Sequence, residues 1–178
     1  EYDGGGVYVA AGTALAVIED ATFAGNTARD GGGVAVKGVG EAQVSGAMFR
    51  DNTATESGGG FLLGGGTATI DASTFVGNTA ADGGGLAIRL GTATVSGSTL
   101  EENTAVNGGG AALYGANSAI VVDDVTFAAN TAESGGGLML RYSGDVSLSN
   151  SRLEGNTADY GGGALLWGVG VGVAALNP

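Results

Sequence analysis

The chain has 178 residues, of which 38 are glycine and one is proline. Its 18 acidic and 6 basic residues give a net charge of −12, which disfavours nucleic acids and anionic membranes as partners. Cysteine and histidine are both absent, which excludes disulfides, thiolate metal sites and histidine-based catalysis. No apolar run is long enough to cross a bilayer, so direct membrane insertion is not expected.

Seven of the eight Gly-Gly-Gly triplets in the chain recur at near-constant spacing, and the other begins at Gly64. The seven begin at Gly4, Gly31, Gly58, Gly83, Gly108, Gly135 and Gly161. The steps between them are 27, 27, 25, 25, 27 and 26 residues, a period typical of a solenoid in which each repeat forms one turn. Residues 1–178 are therefore predicted to be a single repeat domain of about seven coils.

The first predicted strand of each coil follows the triplet. Apolar residues alternate with other residues there, which is the period of a β-strand. The inward set is Val34 and Val36, Phe61 and Leu63, Leu86 and Ile88, Ala111 and Leu113, and Leu138 and Leu140.

A second alternation and a third apolar position complete each coil. The second strand has Ala16 and Ile18, Ala42 and Val44, Ala68 and Ile70, Ala93 and Val95, Ile120 and Val122, and Val146 and Leu148. A helical solenoid needs a 3.6-residue period and few glycines, so it is the weaker alternative. We therefore predict an all-β fold, a right-handed parallel β-helix with three short strands in each coil of 25–27 residues.

Two columns of identical or similar residues are predicted inside this solenoid. An aromatic and aliphatic column is formed by Phe23, Phe49, Phe75, Leu100, Phe127 and Leu153. An asparagine column follows it, formed by Asn26, Asn52, Asn78, Asn103, Asn130 and Asn156. Equivalent residues of stacked coils lie directly above one another, so we expect an aromatic stack and an amide ladder.

The tetrapeptides Phe23-Ala24-Gly25-Asn26, Phe49-Arg50-Asp51-Asn52, Phe75-Val76-Gly77-Asn78 and Phe127-Ala128-Ala129-Asn130 carry a family resemblance. With the glycine triplets, they resemble the F-x-x-N and G-G-A-aliphatic motifs of the chlamydial polymorphic outer-membrane proteins. The chain is also similar to bacterial surface proteins with right-handed β-helix repeats, whose S-T-F motif matches Ser73-Thr74-Phe75. The resemblance implies an exported adhesin or fibre at the cell surface, associated with the outer membrane.

Both ends of the chain fall within a repeat. Glu1-Tyr2-Asp3 stands where Ala132-Glu133-Ser134 stands before a later triplet, and Val169–Leu176 begins a further coil. We therefore expect the chain to be part of a longer exported protein.

Several acidic residues are candidates for a catalytic site, because some parallel β-helices cleave polysaccharides with carboxylates. The candidates are the doublets Glu19-Asp20 and Asp123-Asp124, with Asp71 near them in register. Neither a histidine nor a lysine accompanies them, and hydrolysis needs one carboxyl with a raised pKa. We predict a solvated acidic turn and no enzymatic activity, with a polysaccharide lyase or hydrolase as the alternative.

Acidic residues next to several triplets are candidate ligands for Ca²⁺. Asp3, Asp30 and Asp82 precede the glycines, but the column continues as Ser57, Asn107, Ser134 and Tyr160. Because Ca²⁺ takes six to eight oxygen ligands, this column does not predict a calcium ladder. No cofactor is expected, and adventitious Ca²⁺ at an acidic turn is left open.

The residues that alternate with the inward set of the first strand predict a contact stripe on the outer surface. It comprises Tyr8, Lys37, Leu62, Arg89, Tyr114, Met139, Arg141, Leu165 and Trp167. These positions include three of the 6 basic residues and the only tryptophan, and none is acidic. Arginine and aromatic residues are enriched at interfaces, whereas acids are depleted. Two alternatives remain: the strand faces the opposite way, which would turn these residues inward, or a flanking segment covers this face.

The predicted function is structural. A rigid solenoid of this kind suits an adhesin passenger, a spacer or a fibre subunit at the cell surface. Its partner is a protein, either another copy in lateral or head-to-tail contact or a different chain, or it is a surface glycan. The alternative from another class is a glycan-binding or polysaccharide-degrading β-helix.

Overall fold

The computed structural model describes residues 2–10, 12, 15–38, 40–114, 119–141 and 145–168. Within these ranges the secondary structure is entirely β. The first strands are β1 (Val7–Val9), β2 (Leu15–Glu19), β3 (Thr22–Ala24), β4 (Thr27–Asp30), β5 (Val34–Val36), β6 (Glu41–Ser45), β7 (Met48–Arg50), β8 (Thr53–Ser57), β9 (Phe61–Asp71) and β10 (Thr74–Val76). The later strands are β11 (Leu86–Ser96), β12 (Thr99–Glu101), β13 (Ala111–Tyr114), β14 (Ala119–Asp123), β15 (Thr126–Ala128), β16 (Thr131–Ser134), β17 (Leu138–Arg141), β18 (Asp145–Ser149), β19 (Arg152–Glu154), β20 (Thr157–Tyr160) and β21 (Ala164–Trp167).

Each strand pairs in parallel with the equivalent strand of the next coil. The strands that follow the triplets are ordered β1-β5-β9-β11-β13-β17-β21, and the third strands form a six-stranded sheet ordered β19-β15-β12-β10-β7-β3. This arrangement confirms the predicted all-β parallel β-helix. The described chain makes about six turns and adds the opening strand of another. The expected continuation over Val169–Leu176 lies outside the described residues. Among the described residues, no helix is long and apolar enough to cross a membrane.

Two features of the strands were not predicted. In the third and fourth coils the first two strands join into single 11-residue strands, β9 and β11, with a register shift that pairs Gly64 with Leu90. A short fourth ladder also runs through the segment after each asparagine, from β4 and β8 to β16 and β20. Its threonines are exposed: Thr27, Thr53, Thr79, Thr104, Thr131 and Thr157.

The interior is a continuous apolar core that contains the predicted inward residues of all three strands. Within it, the ring of Phe49 stacks on Phe23 with 5.1 Å between centroids and on Phe75 with 4.6 Å. Phe61 adds an edge contact to Phe49 at 6.1 Å. The predicted phenylalanine column is therefore a real stack in the first three coils, and Leu100 continues it as a fully buried side chain.

The asparagines form a hydrogen-bonded ladder beside this stack. The Oδ1 atom of Asn78 accepts bonds from both the backbone N–H and the Nδ2–H of Asn52, each at 3.0 Å. The Nδ2 atom of Asn78 donates to the Asn103 Oδ1 at 3.0 Å and to the Phe49 carbonyl oxygen at 2.8 Å. Every donor and acceptor of this buried carboxamide is thus satisfied, which removes the cost of burying it.

The same bonds join all six asparagines. Links run from Asn26 to Asn52, from Asn103 to Asn130 and from Asn130 to Asn156, with side-chain distances of 3.0 Å in each. The ladder therefore fastens every coil to the next through both side-chain and backbone atoms.

The glycine triplets permit this close stacking. The first glycine, such as Gly58 with φ of 68°, adopts a left-handed conformation that a side chain would strain. The third glycine faces the next coil, and a Cβ on Gly60 would lie 2.6 Å from the Gly85 oxygen and 2.9 Å from Cδ1 of Phe75. The glycines are therefore required both by backbone conformation and by contact between coils.

Gly60→Ala is expected to lower the free energy of unfolding by about 2–3 kcal/mol, because the added methyl group would overpack the core between coils. Gly163→Ala is the matched control at the same triplet position. There the nearest atoms would be Leu153 Cβ and Cδ2 at 3.8 Å, so the cost should be absent. Urea unfolding monitored by circular dichroism measures both. Equal losses in the two variants would show that contact between coils does not explain the third glycine.

Candidate functional site

The predicted contact stripe lies on the outer side of the first-strand sheet, but much of it is covered. Leu62 is 0% exposed and Met139 is 2% exposed, so the expectation that they face solvent is wrong. Leu62 instead forms a small apolar cluster with Ala35 and Ala87, separate from the main core. The alternation in the sequence gives the correct side of the strand but does not reveal the covering segment.

The cover comes from the chain that precedes each triplet. At Gly31, where φ is 62°, the backbone folds so closely onto the strand that an added Cβ would lie 2.7 Å from Cβ of Ala35. Gly58 sits in the same way against the backbone of Phe61 and Leu62. The left-handed turn therefore places the fourth ladder beside the outer face of the first strand and shields its middle.

Exposure returns towards both ends of the stripe. Tyr8 is 49% exposed and Trp167 is 57% exposed, whereas Leu165 is only partly exposed. The stripe is therefore not one continuous surface.

Acidic residues from the preceding turns neutralise the basic residues at the N-terminal end of the stripe. The Lys37 Nζ lies 2.7 Å from Oδ2 of Asp30 and 2.9 Å from Oδ2 of Asp3. Arg29 adds a contact of 3.1 Å to the Oδ1 of Asp3. The stripe has no acid in sequence, but Lys37 is paired with Asp3 and Asp30, which the sequence pattern presented only as candidate calcium ligands.

Burial and charge act in opposite directions on this cluster. Burial alone would raise the pKa of Asp3, but the hydrogen bond and charge of Lys37, together with Arg29, hold that pKa below its ordinary value. Burial would likewise lower the pKa of Lys37, but hydrogen bonds and charges from Asp30 and Asp3 raise it above its ordinary value. Both shifts favour the charged forms, as in a stabilising ion pair.

Arg89 is held much more loosely. Its Nη1 atom lies 3.9 Å from Oδ1 of Asp30 and 4.0 Å from Oε2 of Glu56, and its side chain is 44% exposed. The Arg89 side chain, in the middle of the rod, is therefore more exposed to solvent than that of Lys37, which is 26% exposed.

Aromatic groups dominate the C-terminal half of the stripe. The Tyr114 hydroxyl donates a hydrogen bond of 3.0 Å to Oδ1 of Asp82, which also accepts a bond of 2.9 Å from Nδ2 of Asn107. Burial, together with the charge and hydrogen bond of Asp82, raises the pKa of Tyr114. The Arg141 guanidinium lies 5.2 Å from the centre of the Trp167 ring, a cation–π contact.

Of the acids proposed as catalytic candidates, Glu19, Asp71 and Asp123 belong to a column at the end of the second strand, whereas Asp20 and Asp124 follow it in left-handed turns with φ of 48° and 53°. In register, this column reads Glu19, Ser45, Asp71, Ser96, Asp123 and Ser149. An acid and a serine alternate from coil to coil, so acids of the column are two coils apart. The serine positions were missed in the sequence, although aligning the coils by their triplets would have revealed them.

One family model matches most of the chain. It is described as a right-handed β-helix region, and it aligns with residues 2–157. The chain belongs to the right-handed β-helix family. Searches of curated proteins and of solved structures gave no match.

The acid column of this β-helix has the chemistry of a solvated, hydrogen-bonded surface. The Ser149 Oγ and the Asn150 Nδ2 donate to Oδ1 of Asp123 at 2.7 and 2.8 Å, and these bonds lower the pKa of Asp123. A general acid in hydrolysis needs the opposite shift. Across the described residues, no group of three or more acids is placed to hold a metal ion.

Lys37→Met should lower the free energy of unfolding at pH 7 by about 1–3 kcal/mol, because it leaves buried Asp30 beside Asp3 without their shared cation. Because folding lowers the pKa of Asp3, its ion pair with Lys37 stabilises the fold above about pH 3.8. This stabilisation is lost as the pH falls through the folded-state pKa of Asp3. The raised pKa of Lys37 means that its contribution is lost only above about pH 10.5.

The difference between wild type and Lys37→Met is therefore greatest between these limits and shrinks in acid. Urea unfolding at several pH values measures it. Arg152→Met removes a 73% exposed partner of Glu154 and should cost less than about 0.5 kcal/mol. A Lys37→Met deficit that does not shrink at all as the pH is lowered from 3.8 would contradict the ion-pair explanation.

Proposed function

We propose that this chain is a rigid, non-catalytic rod within an exported surface protein, where it acts as an adhesin passenger, a spacer or a fibre subunit. The observation that carries the proposal is the asparagine ladder, which links every coil from Asn26 to Asn156. A solenoid whose coils are all fastened in this way transmits force along its axis and keeps its two ends at a fixed separation.

The surface location rests on the family resemblance of the repeats. The Phe-x-x-Asn motif has a structural meaning here, because the carbonyl oxygen of Phe49 accepts the Nδ2–H of Asn78 in the next coil. Repeats similar to those of the chlamydial polymorphic outer-membrane proteins support an extracellular, outer-membrane-associated rod. Such a rod needs no cofactor to perform a mechanical task.

The proposed contacts use the exposed part of the stripe. Trp167 combines 57% exposure with a stacked arginine, and tryptophan and arginine are the residues that most often dominate binding energy at interfaces. The partner is a protein, either another copy or a different surface chain. Nucleic acid is disfavoured by the net charge of −12.

Trp167→Ala is expected to reduce binding of the purified, fluorescently labelled rod to intact cells of the source organism by about tenfold or more, the effect of removing an interface hot spot. Flow cytometry measures the bound fraction. Met48→Ala is the matched control, because Met48 is 41% exposed but lies on the third-strand sheet. Equal binding by Trp167→Ala and wild type would remove the stripe from the proposal.

Location and catalysis are tested separately. An antibody raised against the purified, folded rod should label intact cells, and labelling that appears only after the cells are lysed would contradict a surface role. Incubation of the purified rod with surface polysaccharides should leave their chain length unchanged. Shortened chains would replace the structural proposal with the polysaccharide-degrading alternative.

A further inference from the structure

Three cations on the stripe occur in every second coil. Lys37 follows β5 in the second coil, Arg89 lies in β11 of the fourth coil, and Arg141 ends β17 of the sixth. Because neighbouring coils are about 4.8 Å apart, successive cations are separated by about 9.6 Å along the rod. Three of the 6 basic residues of the chain thus form one line with a two-coil period.

The acid column has the same period. Glu19, Asp71 and Asp123 lie in the first, third and fifth coils, and the register places Ser45 and Ser96 between them. Successive acids are therefore also separated by about 9.6 Å. Both lines are parallel to the rod axis, and the second strand of each coil separates them, since the cation position precedes that strand and the acid position lies at its end.

From this match we propose that two copies of the chain lie side by side, with the cation line of one against the acid column of its neighbour. The inference rests on the lateral contacts included in the proposed function, and it names their partner as a second copy. Charges at equal spacing set the register of the two rods around the central cation, because Lys37 is already paired with Asp30 and Asp3 of its own chain.

The acid column offers a shaped site for an incoming cation. A surface depression of about 200 Å³ is lined by Glu19, Gln43, Val44, Ser45, Thr69 and Asp71. It lies between two acids of the column, with the small side chain of Ser45 leaving room between them. Asp71 forms one side of this depression, where an incoming guanidinium can reach its carboxylate.

Two of the three carboxylates of the column are already oriented by hydrogen bonds. The Ser96 Oγ donates to Oδ1 of Asp71 at 2.7 Å, and the Ser149 Oγ makes the equivalent bond to Asp123 at 2.7 Å. A hydrogen bond from the next coil restricts each side chain, which lowers the entropy lost when a partner binds.

Arg89 is the central cation and the one best able to engage a neighbour. Its contacts to Asp30 and Glu56 are 3.9 and 4.0 Å long, whereas Lys37 is held at 2.7 and 2.9 Å by two carboxylates. Arg89 also faces Asp71 whether the two rods run parallel or antiparallel, because both residues occupy the middle of their lines. The Arg89–Asp71 contact is therefore common to both arrangements.

Because the two lines differ, each rod has one surface of each kind, and the contact is heterologous. Such contacts continue from copy to copy and form an open lateral array rather than a closed dimer. Exposed ion pairs are individually weak and are screened by salt. The array should therefore form at the high local concentration of an anchored layer and dissolve in strong salt.

Sedimentation velocity of the purified chain over a concentration series tests the proposal. Self-association is expected in about 0.15 M salt, where screening over about 8 Å weakens the repulsion between two chains of net charge −12. It should be lost in about 1 M salt, where screening over about 3 Å also weakens the ion pairs. Arg89→Glu and Asp71→Lys should each weaken association about threefold to tenfold, as loss and reversal of an exposed pair would. The double variant should restore it, because each interface then pairs a lysine with a glutamate.

Arg152→Glu and Glu133→Lys are the controls, since they make the same charge changes on other faces and should leave association unchanged. Thermal unfolding confirms that each variant is folded. A wild-type chain that stays monomeric at every concentration in about 0.15 M salt would overturn the lateral contact. A double variant that does not recover self-association would overturn it as well. Neither result would affect the surface location, which antibody labelling of intact cells tests independently.

Discussion

The hydrogen bonding of the asparagine ladder is the interaction on which the rest of the structure depends. A carboxamide can remain fully buried only if its two N–H groups and its oxygen all find partners, and stacking identical residues at the strand spacing satisfies this condition in every interior coil. Asn52, Asn78, Asn103 and Asn130 are each 0% exposed. The ladder thus fixes the register between coils, and the phenylalanine stack, the threonine column and both charged lines follow from that register.

Close stacking also determines what the outer surface can do. The left-handed glycine that begins each triplet folds the preceding segment against the first strand, and Leu62 loses its exposure as a result. Only groups long enough to pass this cover reach solvent, which is why Arg89 is 44% exposed in its side chain while Leu62 is fully buried. The exposed part of this face is therefore a line of side-chain ends above a closed apolar layer, and in the proposed contact the spacing of their charges selects the partner.

The columns could be predicted from the sequence because parallel, in-register stacking places residues one period apart in direct contact. This rule correctly gave the neighbours of Phe49 and Asn52 without any knowledge of three-dimensional structure. Which stripe residues a covering segment buries could not be predicted, since period-two alternation distinguishes the two sides of a strand but not what packs against either side. Contacts that cross between columns were missed for a related reason: the bond from Tyr114 to Asp82 depends on a turn conformation that the repeat period does not specify.

Exchange of the asparagine side-chain amide protons in solution tests the ladder most directly. Measured by NMR on the intact chain, the Nδ2–H groups of Asn78 and Asn103 should exchange at least about a thousandfold more slowly than that of exposed Asn150, because their release requires separation of whole coils. Fast exchange of Asn78 and Asn103, at the rate of Asn150, would show that the coils are not fastened through these side chains and would contradict the account.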